Sequence, residues 1–119
     1  MNRGLLAAGA ISGALAVAAG AFGAHALKER LTEKALGVFE TGARYQMYHA
    51  LAIMLCAVLA STIAGARLAG WLMQAGIVLF SGSLYLLALT DVKVLGAITP
   101  LGGLLFIAGW VWLAISALR

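Results

Sequence analysis

The chain has 119 residues, of which 64% are apolar and only 10% are charged, with a formal net charge of +4. A soluble domain carries roughly a quarter charged residues, so this composition excludes a water-soluble fold and predicts an all-α membrane protein. The basic residues stand singly rather than in a patch, which excludes nucleic acid as a partner. The single cysteine, Cys56, excludes an intrachain disulfide.

Four stretches without Asp, Glu, Lys or Arg dominate the sequence, and each is at least 22 residues long. They cover residues 4–27, 45–66, 68–90 and 94–118. At about 1.5 Å of rise per residue, a helix of this length crosses a hydrocarbon core of about 30 Å. We therefore predict one membrane domain over residues 1–119, a four-transmembrane-helix bundle with spans at about 4–27, 45–66, 68–90 and 100–118.

The first span carries small residues at spacings of three and four, which place them on one helix face. They are Gly9, Gly13, Ala16, Gly20 and Ala24. Small residues let helix backbones approach closely in lipid, where little hydrophobic force drives helices together. This pattern predicts a central position for the first helix, with Ile11, Leu15 and Phe22 on its opposite surface.

Residues 28–44 form the only long connection between the predicted spans. Thr32 is a suitable N-cap for a short helix. The apolar and acidic side chains fall on opposite sides of that helix, with Leu31, Ala35, Val38 and Phe39 facing away from Glu29, Glu33 and Glu40. We predict an amphipathic helix lying in the membrane interface over about 32–41, with Gly42 at its bend into the second span. A solvated linker is the alternative.

The start of the fourth span has two interpretations. Thr99 as N-cap followed by Pro100 at the first helical position is a favourable helix start. The preferred prediction is therefore a helix over 100–118, with 94–98 as a connection. The alternative is one kinked helix from Val94, in which Pro100 removes a backbone bond to Gly96. Gly102 and Gly109 are predicted to form a close-packing face.

Orientation is predicted from the lysines and arginines that flank the spans. Five lie on the side of the long connection and three on the other side: Lys28, Arg30, Lys34, Arg44 and Lys93 against Arg3, Arg67 and Arg119. Because cytoplasmic loops carry the excess of basic residues, this distribution predicts a cytoplasmic connection and both termini outside. We expect a multi-pass protein of the bacterial cytoplasmic (inner) membrane.

Polar residues bordering the spans are predicted to meet at one end of the molecule. Placing an ionisable group in lipid costs free energy, so such groups usually have a function. His25 ends the first span, and the third span returns to the same level at Asp91. The predicted polar layer consists of His25, Glu40, Arg44, Tyr45, Gln46, His49 and Asp91.

Three interpretations of this layer remain open. The first is structural: His and Tyr side chains bond between helices, and Glu40 pairs with Arg44 one turn away. The second is a shallow site for a lipid head group, a quinone or another amphiphile. The third is a metal site formed by His25, His49 and a carboxylate, although the two histidines lack a local metal-binding spacing.

The sequence offers little support for catalysis or proton-coupled transport. It has no nucleophile elbow, Cys–His arrangement, phosphate-binding loop or paired carboxylates. Small multidrug antiporters have a similar size and four spans, but they depend on a carboxylate in the first helix. Residues 4–27 contain no acid. We therefore expect a protein that is not an enzyme and needs no cofactor or metal.

Four motifs point to a known family. They read GAFGAHAL at 20–27, FETGARYQMYHALA at 39–52, SGSLY at 81–85 and ITPLGG at 98–103. Together they resemble the small membrane family catalogued as domain of unknown function 423, whose eukaryotic relative is called transmembrane protein 256. The resemblance covers essentially the whole chain. It implies an integral membrane protein of about this length with no assigned activity, and it supplies no catalytic or cofactor-binding residues.

The leading functional hypothesis is a noncatalytic helix bundle with a structural or accessory role. The alternative is binding or transport of a small amphiphile, lipid or ion at the polar layer near one membrane face. The expected partners are membrane lipids and further copies of the chain.

Overall fold

The computed structural model describes residues 1–119 as four α-helices joined by short connections. They are α1 (Arg3–His25), α2 (Glu33–Leu59), α3 (Ala66–Thr90) and α4 (Leu95–Leu118). The all-α prediction is confirmed. Three of the four, α1, α3 and α4, are long and apolar enough to cross a membrane. The first half of α2 contains four charged residues, which makes α2 the least apolar of the four.

Helices α2 and α3 form the centre of the molecule. Helix α1 packs mainly on α2 and touches α3, whereas α4 packs mainly on α3. The prediction that the first helix is central is wrong, because α1 buries a single face while α2 and α3 each have a neighbour on two sides. The opposite surface of α1 is exposed at Ile11, Leu15 and Phe22, as predicted.

The segment 32–41 is not a separate interfacial helix. Thr32 is an N-cap, since its hydroxyl accepts a hydrogen bond from the Ala35 amide at 3.1 Å, but the helix that it starts runs without interruption to Leu59. Gly42 lies inside α2 rather than at a bend. A Cβ at Gly42 would lie 2.9 Å from the Tyr85 ring, so glycine at this position allows α2 to approach α3 closely.

Helix α4 begins at Leu95, so the preferred prediction of a start at Pro100 is wrong and the alternative of a longer helix is correct. The amides of Leu95, Gly96 and Ala97 each donate to the carbonyl three residues earlier, which closes a tight first turn. Pro100 lies close behind this turn and removes one backbone bond. A proline so near the N-terminus therefore disturbs little of the helix.

The tightest packing joins small residues to large side chains. The largest fully buried side chains include Leu5, Ile53 and Met73. Cys56 is also fully buried and acts as a small apolar core residue. On α4, a Cβ at Gly102 would collide with the backbone of Phe80 on α3. The predicted close-packing face of the fourth helix is thus confirmed.

Candidate functional site

The amide of Gln46 connects three helices near the middle of the molecule. Its Nε2 donates to the backbone carbonyl of Ser12 on α1 at 2.9 Å, and its Oε1 accepts from the hydroxyl of Tyr85 on α3 at 2.6 Å. Gln46 is only 5% exposed. A buried amide costs free energy unless it is hydrogen-bonded, and here both ends of the amide have partners. Gln46 therefore holds α1, α2 and α3 in register.

A further hydrogen bond joins α1 directly to α3. The Ser12 hydroxyl donates to Oε1 of Gln74 at 3.0 Å, and Ser12 is buried. Ser12 thus contributes its carbonyl to Gln46 and its hydroxyl to Gln74. We refer to Ser12, Gln46, Gln74 and Tyr85 as the glutamine network.

His49, three residues along α2, connects this helix to α4. Its Nδ1 lies 2.8 Å from the Tyr45 carbonyl, and its Nε2 lies 3.0 Å from Nε1 of Trp110. A carbonyl can only accept and an indole N–H can only donate. The bonds therefore require a neutral imidazole with its proton on Nδ1. The ring also stacks on Phe106, with ring centres 3.5 Å apart and planes 8° apart.

Hydroxyl groups supply two further bonds between helices. Ser81 donates to the Gly42 carbonyl at 2.7 Å, which joins α3 to α2. The hydroxyls of Ser83 and Thr99 lie 2.6 Å apart and join α3 to α4. Ser81 and Ser83 therefore both bond across helix interfaces.

The predicted polar layer divides into two groups. Gln46 and His49 are buried at mid-helix, whereas Tyr45 is partly exposed. The other members lie exposed toward one end of the molecule: His25, Glu40, Arg44 and Asp91.

The metal interpretation is wrong because the two histidines are far apart. A Cβ at Gly13 would lie 3.8 Å from Cβ of Ala50, the neighbour of His49. His25 is 12 residues beyond Gly13, which corresponds to about 18 Å along a helix. No group of three or more His, Cys, Asp or Glu side chains in the chain is placed to hold a metal ion.

The predicted ion pair between Glu40 and Arg44 does not form. The one ion pair of the molecule joins Lys93 and Asp91 at 2.7 Å, in the connection between α3 and α4. The hydrogen bond from Lys93, together with the attraction of its charge, lowers the pKa of the Asp91 carboxyl. Both side chains are well exposed, so this pair contributes little to stability.

Sequence reasoning missed four partners of the buried polar groups. They are Ser12, Gln74, Tyr85 and Trp110. Each stands inside an uncharged stretch and carries a hydrogen-bonding group that lipid cannot satisfy. That property was the available signal, because such groups must find partners on neighbouring helices.

A groove opens to the outside beside the glutamine network. It has a volume of about 500 Å³ and is lined almost entirely by apolar side chains. Its lining includes Ala19 and Phe22 of α1, Phe39 and Gln46 of α2, and Tyr85 and Leu89 of α3. A smaller cleft of about 200 Å³, with Lys34, Asp91 and Lys93 in its lining, lies between the start of α2 and the end of α3.

The chemistry available to the buried site is hydrogen bonding. The glutamine network and the His49 contacts contain amides, hydroxyls, an imidazole and an indole, but no carboxylate or thiol. The side chains of Gln46 and His49 have both of their polar atoms bonded within the protein. This arrangement is suited to fixing helix positions.

The chain is similar to proteins without an assigned activity. Residues 19–103 match the sequence model of a family described as "Protein of unknown function (DUF423)". The chain is 52% identical over 114 residues to the UPF0382 membrane protein YwdK of Bacillus subtilis, with 93% of each chain covered. It is 50% identical over 112 residues to a UPF0382 membrane protein of Staphylococcus haemolyticus, covering 93% of this chain and 92% of the relative. No solved structure matches.

Proposed function

This chain belongs to the DUF423 family, and from that premise we propose that it is a noncatalytic, multi-pass helix bundle of the bacterial cytoplasmic membrane with a structural or accessory role. The family resemblance noted in the sequence is thereby confirmed. The relatives in Bacillus and Staphylococcus are named membrane proteins, and three helices here are apolar enough to span.

We also propose that α2 crosses the membrane together with α1, α3 and α4, so that all four helices span. It runs beside α1 over the whole length of that helix: the Asn2 amide donates to the Ala57 carbonyl at 2.9 Å, and a Cβ at Gly23 would lie 3.0 Å from Phe39. Its other side packs on α3. Any position that puts both α1 and α3 across the bilayer therefore encloses α2 as well.

The observation that supports a structural role is the hydrogen bonding of the buried Gln46 amide within the protein. In lipid, an unbonded amide is costly, and Gln46 has partners on both neighbouring helices. Its bonds favour one relative position of α1, α2 and α3.

Replacement of Gln46 by leucine tests the structural role. Gln46→Leu keeps a side chain of similar size but removes the bonds to Ser12 and Tyr85, so the free energy of unfolding in detergent should fall by about 1–2 kcal/mol. Tyr48→Phe is the control, since Tyr48 is exposed and its hydroxyl forms no hydrogen bond within the protein. Equal stability of Gln46→Leu and the unmodified protein would contradict the proposal.

The groove beside the network favours a second candidate, the binding of an amphiphile whose chain lies along Phe22, Phe39 and Leu89. Ala19 lines this groove and Ala14, on the same helix, does not. If lipid binds there, Ala19→Trp should reduce the amount of lipid that remains on the protein in native mass spectrometry. Ala14→Trp should retain it, and equal retention by both variants would argue against this site.

A further inference from the structure

The outward face of α2 differs chemically from those of the other helices. Its residues follow the alternating three- and four-residue spacing of a helix seam: Thr41, Arg44, Tyr48, Leu51, Leu55 and Val58. Most of them are well exposed, with Tyr48 at 52% and Leu51 at 61%. The outward faces of α1 and α4 are apolar between their ends, as at Leu15 and Leu104. Only α2 presents a charge there.

Arg44 lies within the membrane if α2 spans the bilayer, and the inference rests on that proposed placement. A Cβ at Gly13 would lie 3.8 Å from Cβ of Ala50, and the end of α1 at His25 is 12 residues beyond Gly13. Arg44 is six residues from Ala50 in the direction of that end, so its backbone lies about 9 Å inside it. A snorkelling side chain covers only part of this distance.

Charged side chains within a membrane normally face protein or water and have partners. Arg44 is exposed on the outer surface, and no carboxylate lies within ion-pair distance of it. Glu40 is one turn away on the same side of α2, is also exposed, and likewise has no ion-pair partner. The single chain therefore leaves an acid and a base unpaired on one face.

A second copy of the chain supplies the missing partners. Two copies inserted in the same orientation have parallel α2 helices, and a two-fold axis along the membrane normal brings the same face of each together. Arg44 of each copy then lies one turn from Glu40 of the other, where its guanidinium can pair with that carboxylate across the interface. The spacing of Tyr48, Leu51 and Leu55 is that of a parallel two-helix seam.

We propose that the face of α2 around Glu40, Arg44, Tyr48, Leu51 and Leu55 is a homodimer interface, with the carboxylates and guanidinium groups paired between copies. Lipid is a poor match for this face because acyl chains offer no acceptors to Arg44. The partner is another copy because one chain carries both halves of the charge pair.

Cysteine cross-linking in native membranes tests the interface. In a Cys56→Ala background, Leu51→Cys and Leu55→Cys should each give a covalent dimer of twice the chain mass under mild oxidation. Leu104→Cys is the matched control, as it is equally exposed but lies on α4. Equal dimer yields from α2 and α4, only monomer at both α2 positions, or cross-links to a different protein would overturn the proposal.

A charge reversal tests the pairing itself. Arg44→Glu places four acids at the interface. The yield of cross-linked dimer from Leu55→Cys should then fall about tenfold, because like charges repel each other across the interface. The double variant Glu40→Arg with Arg44→Glu restores two acids and two bases one turn apart and should recover the dimer yield. Failure of the double variant to recover, with the protein still inserted, would contradict the charge pairing.

The proposed four-span placement can fail separately from the dimer. A membrane-impermeant maleimide should leave Leu51→Cys unlabelled in intact membranes if α2 spans the bilayer. Labelling from water would refute the spanning position of α2. Protection from the reagent without any cross-link would refute the dimer and retain the placement.

Discussion

The imidazole of His49 has no free nitrogen to offer a ligand. Nδ1 donates to the Tyr45 carbonyl and Nε2 accepts from the Trp110 indole. A histidine at this position therefore acts as a hydrogen-bond bridge between α2 and α4, with the Phe106 ring stacked on it. Its identity is explained by two directional bonds and one stacking contact.

Removal of that bridge should lower stability measurably. His49→Ala deletes the bond to Trp110 and the stack on Phe106, and the free energy of unfolding in detergent should fall by about 1–2 kcal/mol. Trp110→Phe removes the indole donor but keeps an aromatic ring, so its effect should be smaller. If the double variant loses the sum of the two single losses, the two side chains are not coupled and the bridge is not supported.

The structure buries Gln46 and His49 and leaves His25 exposed, so the seven predicted residues do not form one polar layer. The reason is the start of the second helix. A span beginning at Tyr45 puts His49 near a membrane face, level with His25, whereas the observed start at Glu33 shifts that level by 12 residues, or about 18 Å. The charged residues Glu33, Glu40 and Arg44 led the sequence prediction to start the second span at Tyr45, although the helix begins at Glu33.

At the scale of elements, the contact between α3 and α4 depends on glycines whose positions are not equivalent. A Cβ at Gly102 would collide with the Phe80 backbone, whereas a Cβ at Gly103 would lie 3.9 Å from the Phe80 ring. Backbone cannot move aside as a flexible side chain can. Adjacent glycines in α4 therefore have different tolerance for substitution.

An alanine pair measures this difference. Gly102→Ala should reduce the free energy of unfolding by about 1–3 kcal/mol because it forces α4 away from α3. Gly103→Ala makes only an ordinary contact and should be neutral or stabilise by up to about 1 kcal/mol through better helix propensity. Thermal unfolding of the two variants in the same detergent checks the order, and a reversed order would show that the seam is not close-packed.

Sequence patterns anticipated this seam and the Thr32 cap, because each depends on local spacing or on one residue type. They did not anticipate that α4 continues through Pro100. Local propensity favours a start at Thr99, but a first turn closed by Leu95, Gly96 and Ala97 extends the helix at the cost of one bond. The pairing of Ser12 with Gln46 was also beyond local patterns, since it depends on the register of two helices.

At the scale of the whole molecule, the helices are not arranged as a symmetric bundle. The molecule measures 48 × 25 × 18 Å, and α1 and α4 lie on opposite sides of the central pair α2 and α3. This arrangement leaves the groove beside α1 and the outer face of α2 open. Both proposed contacts with other molecules lie on these open surfaces.

The proposed orientation can be measured on the intact protein. The excess of basic residues near the connection between α1 and α2 predicts that this connection is cytoplasmic. In a Cys56→Ala background, Arg119→Cys in intact cells should react with an impermeant maleimide, and Glu29→Cys should react only after lysis. The opposite pattern would reverse the assigned orientation.

The central position of the least apolar helix has a consequence for biogenesis. Helix α2 leaves the ribosome before α3 and α4, yet Gln46 and His49 depend on Tyr85 and Trp110 for part of their bonding. Of the four partners, only the Ser12 and Tyr45 carbonyls are already synthesised when α2 reaches the translocon. We therefore expect α1 and α2 to enter the lipid as a hairpin and to remain incompletely bonded until the second hairpin, α3 and α4, arrives beside them.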